Sequence, residues 1–311
     1  NNVTASFTLG LEDSSTALTA DATTIHGDMA AVTTDQSDIK ITVSDAKDAA
    51  VDATRLSAIG GTTNGLVTVS NAVKVTAGHD DLLAAFVTTG SKVAATKAVV
   101  TFNDATNTAI TAKQLSDIGG AVASASVTNK IKVDGSNTEL TAAFVTTSSN
   151  VTASKAVVTF NDAKNTAIAA TVLSDVGAAV ASASIATAVK VSGNHDQLEA
   201  AFVTTTSKVT AASAKVTFND GTDATMTAKE ISDIIGVVGE GTITNRVDIT
   251  GDKSDMTKAL VTAGTKATIG TTGTTATVSD LATLSEANAI AAINNVTASF
   301  TLGLEDSSTA L

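Results

Sequence analysis

Five aspartates recur along this chain at a spacing that could build an oxygen-ligand site. Asp45, Asp104, Asp162, Asp220 and Asp280 follow one another at intervals of 59, 58, 58 and 60 in the numbering. Each follows a short apolar run: ITVSDA (41–46), VTFNDA (100–105 and 158–163), VTFNDG (216–221) and ATVSDL (276–281). Stacked Asp and Asn oxygens are hard ligands of the kind Ca²⁺ takes, so these five are the candidate metal residues and Ca²⁺ the candidate cofactor. The competing reading is structural: an Asp that ends a strand makes an Asx-turn or caps the helix that follows. Equivalent aspartates fall two coils apart, about 10 Å at strand spacing, which is too far to share one ion and favours the cap.

His79 and His195 occupy one slot of the repeat, two modules apart, and Asn137 fills that slot between them. Gly78-His79-Asp80 and Asn194-His195-Asp196 precede helical segments, where small polar groups cap, and a metal ligand does not alternate with Asn. The sequons Asn2-Val3-Thr4, Asn150-Val151-Thr152 and Asn295-Val296-Thr297 are candidate N-glycan acceptors. No Ser-His-Asp arrangement, phosphate loop, dinucleotide loop or HExxH helix is present. The expectation is a non-enzyme with no catalytic residue and no organic cofactor.

The elements that carry these residues repeat with them. Val100 and Phe102 alternate with Thr101 and Asn103, and Ile131 and Val133 alternate with Lys130 and Lys132. Period-two alternation of β-branched residues predicts half-buried strands. Behind them the period changes: Leu115, Ile118 and Val122, then Leu173, Val176 and Val180, then Ile231, Ile234 and Val238, are spaced by three and four. That spacing makes one short helical face. Ser136-x-x-Glu139 and Thr227-x-x-Glu230 have capping-box spacing, and Gly119-Gly120 predicts a helix stop. Phe86, Phe144 and Phe202 recur with a period of 58, as do Phe102, Phe160 and Phe218; these six are the predicted core anchors.

The fold these elements predict is α/β: a repeat solenoid of about 29-residue strand–short-helix coils with a parallel sheet, two coils to a module. An all-β solenoid, with the apolar triplets at its corners, is the alternative. No globular domain boundary is expected within 1–311. The modules run 45–103, 104–161, 162–219 and 220–279, with a fifth from 280–311 continued by the equivalent of 19–44. A larger period encloses them, because the stretch 1–18, NNVTASFTLGLEDSSTAL, is repeated identically at 294–311, an offset of 293. Five modules fill that offset without remainder, so the expectation is one window of a longer array.

Composition narrows the function. The 311 residues hold no Cys, Pro, Trp or Tyr, and the formal charge is −12. A chain this acidic has no basic stripe for nucleic acid and is repelled by anionic lipid headgroups. No apolar run approaches the roughly 20 residues that cross a bilayer, so no membrane insertion is expected in this window. Lack of cysteine excludes disulfides and thiolate metal sites.

Units such as ITVSDAKDAAVDATRLSAIGGTTNGLVTVS (41–70) and KAVVTFNDATNTAITAKQLSDIGG (97–120) resemble the Thr/Ala/Val-rich tandem repeats of very large bacterial secreted and cell-surface proteins, nearest those of cyanobacteria. The resemblance implies export and a structural role in a filament, fibril, surface layer (S-layer) or matrix, or one in motility or adhesion; it brings no catalytic residue. GGTTNG (60–65) lacks the Asp of calcium-binding glycine-aspartate nonapeptides. The leading expectation is a structural extracellular protein whose partner is itself. The alternative is an adhesin that recognises glycan or a cell surface, against which the lack of Trp and Tyr counts.

Overall fold

The computed structural model describes residues 7–91, 93–206 and 209–306, so the sequon at Asn2 lies outside the described residues. Contacts divide the chain into two units, Asn1–Val157 and Val158–Leu311. The first holds helices α1 (Ser15–Leu18), α2 (Gly27–Asp35), α3 (Ala53–Gly61), α4 (His79–Phe86), α5 (Ala112–Ala121) and α6 (Asn137–Phe144). The second holds α7 (Ala170–Ala179), α8 (His195–Phe202), α9 (Ala228–Val237), α10 (Lys253–Leu260) and α11 (Leu284–Ala291). Short helices alternate with strands of parallel sheets. The fold is α/β, and the apolar triplets that an all-β solenoid would place at corners sit on or at the end of helices.

Within the second unit the winding is read from the ladders. Strands Ala167–Ala169, Lys190–Gly193, Lys215–Phe218, Glu240–Ile243 and Ala267–Ile269 form one parallel sheet in that order. Ile168 pairs with Val191, Val191 with Val216, Val216 with Gly241 and Gly241 with Ala267. The paired strands therefore follow one another at offsets of 23 to 26 in the numbering. A second sheet starts at Ala224–Thr227 and continues through Val247–Gly251, Thr274–Val278 and Val296–Phe300. In its first strand Met226 pairs with Ile249, as Ile168 pairs with Val191 in the module before. Each module thus opens a new sheet while the previous one is still being extended.

The coils of about 29 residues are the average of a shorter and a longer one, and each carries more than one strand. Helix starts alternate between a step of 25 and a step of 33: Ala112 to Asn137 is 25, Ala170 to His195 is 25, His195 to Ala228 is 33, and Ala228 to Lys253 is 25. Two strands separate α7 from α8, Ser182–Ile185 and Lys190–Gly193, whereas three separate α8 from α9. The longer step carries the extra strand and the turn that moves the chain to the new sheet. Those turns share a left-handed residue, Asn107, Asn165 or Asp223, at φ 65° to 68°, and Asp48 before α3 has the same backbone at φ 63°. Asn and Asp tolerate that conformation best among non-glycine residues. The turn is closed by a short backbone bond, for instance from the Thr108 N–H to the Ala105 carbonyl at 3.1 Å.

The strand and helix faces are those the periods predict. Val100, Phe102, Ile131 and Val133 are buried, as are Leu115, Ile118, Leu173, Val176, Ile231 and Ile234 on their helices. Val122, Val180 and Val238, the third members of the triplets, are buried just past the helix ends. The helix that carries Gly119-Gly120 is short and ends at Ala121, one residue past the pair. A Cβ on Gly119 would lie 1.8 Å from the Ser149 carbonyl oxygen, whereas one on Gly120 would meet nothing within 4 Å. The first glycine is there for close approach of the following coil. Five of the six phenylalanines are buried, Phe102, Phe160 and Phe218 to within 1%. Phe144 is the exception: it is only half-buried, although Phe86 lines a similar open cleft and stays buried.

Candidate functional site

The recurrent aspartates sit at helix N-termini, but the helices they cap lie one coil back in the sequence. Asp104 accepts the backbone N–H of His79 through both carboxylate oxygens, at 3.2 and 3.1 Å. Asp220 does the same for His195, at 3.2 and 3.1 Å. Asp45 accepts the Ser15 N–H at 2.8 Å and the Ser15 hydroxyl at 3.0 Å, and Asp280 accepts the Lys253 N–H at 2.7 Å. His79, His195, Ser15 and Lys253 are each the first residue of a helix. Their N–H groups have no partner inside the helix, and a carboxylate there also meets the positive end of the helix dipole. A strand-ending Asp is expected to cap the helix that follows it. These reach backwards because the parallel sheet sets each one beside the preceding coil's helix start.

The same aspartates are held from the other side by their own carbonyls. Asn71 Nδ2 donates to the Asp45 carbonyl, Asn129 Nδ2 to that of Asp104 and Asn245 Nδ2 to that of Asp220, at 2.8, 2.8 and 2.6 Å. Thr187 Oγ1 donates to the carbonyl of Asp162, a buried residue, at 2.7 Å. One residue therefore joins three successive coils in the Asp45, Asp104 and Asp220 cases: carboxylate to the coil before, carbonyl to the coil after. The donors Asn71, Asn129, Thr187 and Asn245 fall one to a module. Sequence reasoning missed them, although their period was there to be seen.

The two histidines complete this staple. His79 Nδ1 lies 2.6 Å from Asp104 Oδ1 and His195 Nδ1 2.5 Å from Asp220 Oδ1. Each ring's Nε2 faces a second carboxylate, Asp80 at 3.2 Å and Asp196 at 3.3 Å. The His195 side chain is 19% exposed and that of Asp220 only 3%. Burial pulls the His195 pKa down, but the bond to Asp220, the Asp220 charge and the charges of Asp196 and Glu230 outweigh it, and the net shift is upward.

Local caps supply the third acceptor. Ser136 with Glu139 and Thr227 with Glu230 close as capping boxes, as do Thr111 with Gln114, Asn194 with Gln197 and Thr283 with Glu286. The backbone and hydroxyl of Ser136 hold the Glu139 carboxyl below its ordinary range, and Thr283 does so for Glu286.

Two sequon asparagines carry structural bonds. Asn150, at φ 52°, donates from Nδ2 to the carbonyls of Gly119 and Val122, at 3.3 and 3.0 Å. Asn295, at φ 69°, donates from Nδ2 to the Ile269 carbonyl at 3.0 Å. Among the described residues no group of three or more His, Asp or Glu is placed to hold a metal ion. No helix among them is long and apolar enough to cross a membrane. One open cleft, about 520 Å³, is lined by Thr23, Thr24, Thr54, Ser57 and Asp81 among others; Asp81 is its one ionisable residue. No known protein family, curated protein or solved structure matches the chain.

Proposed function

We propose that this chain is a structural section of a long tandem-repeat polypeptide outside the cell, building a filament or surface layer. The observation that carries the reading is the use made of its reactive side chains. Asp45, Asp104, Asp220 and Asp280, and both repeat-slot histidines, are committed to backbone groups and partners in adjoining coils. They join coils and present no reactive cluster to a substrate. A stack in which each coil satisfies the next resists local opening, because stability in such arrays is the sum of coil and interface terms. Its partner is itself, as adjoining units and neighbouring filaments. Electron microscopy of the native material tests this: fibres with an axial period are expected, and dispersed globular particles would sink the reading.

A second reading, an adhesin, is favoured by one feature. Phe86, Val87, Thr88 and Val93 line an open cleft of about 340 Å³, and Phe144, Val145, Thr146 and Val151 line its counterpart in the next module. A ligand with a repeating structure could use such a series. Binding of the isolated chain on a glycan array would promote that reading.

A further inference from the structure

The helix pair α3 and α4 lacks bonds that occupy the same positions in other modules. Aligned on the buried Leu56, Leu115 and Ile231, Thr54 of α3 falls where α5 has Lys113 and α9 has Lys229, and Ala58 falls where they have Asp117 and Asp233. On α5 and α9 those residues close an ion pair along the helix surface, Lys113 with Asp117 at 2.7 Å and Lys229 with Asp233. Asp81 of α4 shares its slot with Glu139 of α6 and Gln197 of α8, which close capping boxes on Ser136 and Asn194. Helix α4 opens on Gly78, and no box forms there. Among the described residues the Thr54 hydroxyl and the Asp81 carboxylate have no hydrogen-bond or ion-pair partner.

Those two groups stand where two clefts meet. The cleft of about 520 Å³ and a smaller one of about 210 Å³ share Thr54 and Asp81. The larger takes in residues 23–25 with Ala58 and Ala84, and the smaller continues past Asp52, Thr76 and Asn103. The segment at 23–25 is held in place by the protein itself. Asp21 Oδ1 accepts the N–H groups of Thr23 and Thr24, both at 2.8 Å. Arg55 donates to the Thr19 hydroxyl and, at 3.1 Å, to the Asp21 carbonyl, and Thr19 bridges Ile25 in antiparallel fashion. Small-molecule sites are usually pre-formed in this way, and irregular additions to a repeat often carry its binding face.

No Lys or Arg lines either cleft among the described residues, and the ionisable side chains there are the carboxylates of Asp52 and Asp81. Anionic ligands are therefore repelled. Hydroxyls, an amide and carboxylates remain, groups that donate and accept at close spacing, beside the apolar Ile25, Ala58 and Ala84. A neutral sugar matches that mixture, since its hydroxyls both donate and accept while one face of its ring carries C–H groups. The chain has no Trp or Tyr, and the three aliphatic side chains supply the apolar contact that an aromatic ring would otherwise give. We propose that this groove is a carbohydrate site that takes a neutral oligosaccharide, one sugar unit to each cleft, with Thr54 and Asp81 at the junction. Asp81 accepts sugar hydroxyls in charge-assisted bonds. The site deepens the adhesin reading, on which its biological use rests, and moves recognition away from the Phe86 and Phe144 clefts.

An array of neutral and acidic oligosaccharides, probed with the full chain, tests the chemistry. Calorimetric titration with the tightest-binding neutral member then compares variants, each checked by its circular dichroism melt. Neutral members are expected to bind, and members carrying uronic or sialic acid to fail. Asp81→Ala should weaken binding about tenfold or more, the loss expected for a hydrogen bond to a charged group. Thr54→Lys combined with Ala58→Asp copies the ion pair of α5 onto α3. It should abolish binding and keep the melting temperature, since Lys113 and Asp117 already stand on such a helix. Hydrogen exchange with and without the oligosaccharide locates the site, and protection is expected at 21–25, in α3 and in the first turn of α4. Protection at 144–151 instead, with both variants binding as wild type does, overturns the groove and leaves the adhesin reading standing. A preference for acidic members also overturns the groove. Binding of no member removes the groove and the adhesin reading together and leaves the structural reading untouched.

Discussion

Helices α4 and α8 begin with the same residue and the same inter-coil bond, yet differ in what stands behind it. In the first unit α4 opens on Gly78, which has no side chain to cap it, so the N–H of His79 and its ring both depend on Asp104. In the second unit α8 opens on Asn194, whose side chain accepts the Gln197 N–H at 2.9 Å while Gln197 bonds back to the Asn194 N–H. Asp220 then adds to a helix start already closed locally. The bond between coils recurs while the local cap varies. In this molecule register along the stack is held by the long-range bond, and the local cap sets how much each helix start depends on it.

The largest expected effect follows from removing that bond. Hydrogen bonds to charged groups are worth about 1.5–3 kcal/mol, and a buried donor left alone costs about as much again as its desolvation. Asp104→Ala should therefore open α4 by about 3 kcal/mol or more, whereas Asp220→Ala should cost about 2 kcal/mol at α8, where Asn194 and Gln197 remain. Hydrogen exchange followed by mass spectrometry reads both helices separately. Equal losses of protection in the two variants would break the comparison. Adding Asn194→Ala to Asp220→Ala should bring α8 down to the behaviour of α4.

How much of this was legible in the sequence depends on the range of each interaction. Strands such as Lys190–Gly193 and helix faces such as Leu115 and Ile118 were plain, because alternation and the three–four spacing are local consequences of burial. Capping boxes at Ser136 and Thr227 were plain for the same reason. The unequal coils were hidden: the extra length enters through the turns at Asn107, Asn165 and Asp223, whose left-handed backbone has no hydrophobic signature. The aspartates are legible as caps but point, in sequence, to the wrong helix, since the partner is chosen by strand pairing a full coil away. Phe144 shares its slot with Phe86 and Phe202, so repetition predicted equal burial; Phe86 lines a similar cleft and stays buried, so the difference is set by packing beyond the slot itself. Asp162 is buried with its carbonyl held by Thr187, where three other modules use Asn; a hydroxyl there replaces an amide as donor to the same carbonyl.

A second effect, smaller, concerns pH. His195 is faced by Asp220, Asp196 and Glu230, and its pKa is raised from the ordinary 6.5. A histidine whose folded pKa lies above its unfolded one adds stability that is fully present below the unfolded value. That stability is lost as pH rises through the folded value. His195→Asn, the residue the intervening module carries at Asn137, removes this contribution. The wild-type chain should then melt above the variant at about pH 5.5, and the two should converge as pH rises beyond the raised pKa. A constant gap across pH would mean that the ring acts only by packing, and the inter-coil bond would lose its charged component.

The smallest effect tests the local half of the comparison directly. A side chain at Gly78 has room: its Cβ would meet Asp104 Oδ1 at 3.5 Å and Asn103 Oδ1 at 4.0 Å, both ordinary contacts. Gly78 already has the extended backbone of a helix cap, φ −69° and ψ 159°, so Asn fits without strain. Asn exceeds Gly at this position by only a few tenths of a kcal/mol, and the gain should appear as slower exchange at the start of α4. Its larger use is in combination. In an Asp104→Ala background the same Gly78→Asn change should recover about 1 kcal/mol, because the helix start would then have no other side-chain acceptor. Non-additivity of that size is expected only between groups that serve one set of donors. Strict additivity would show that the local and the inter-coil caps act on separate parts of the helix, and the contrast between α4 and α8 would then need another cause.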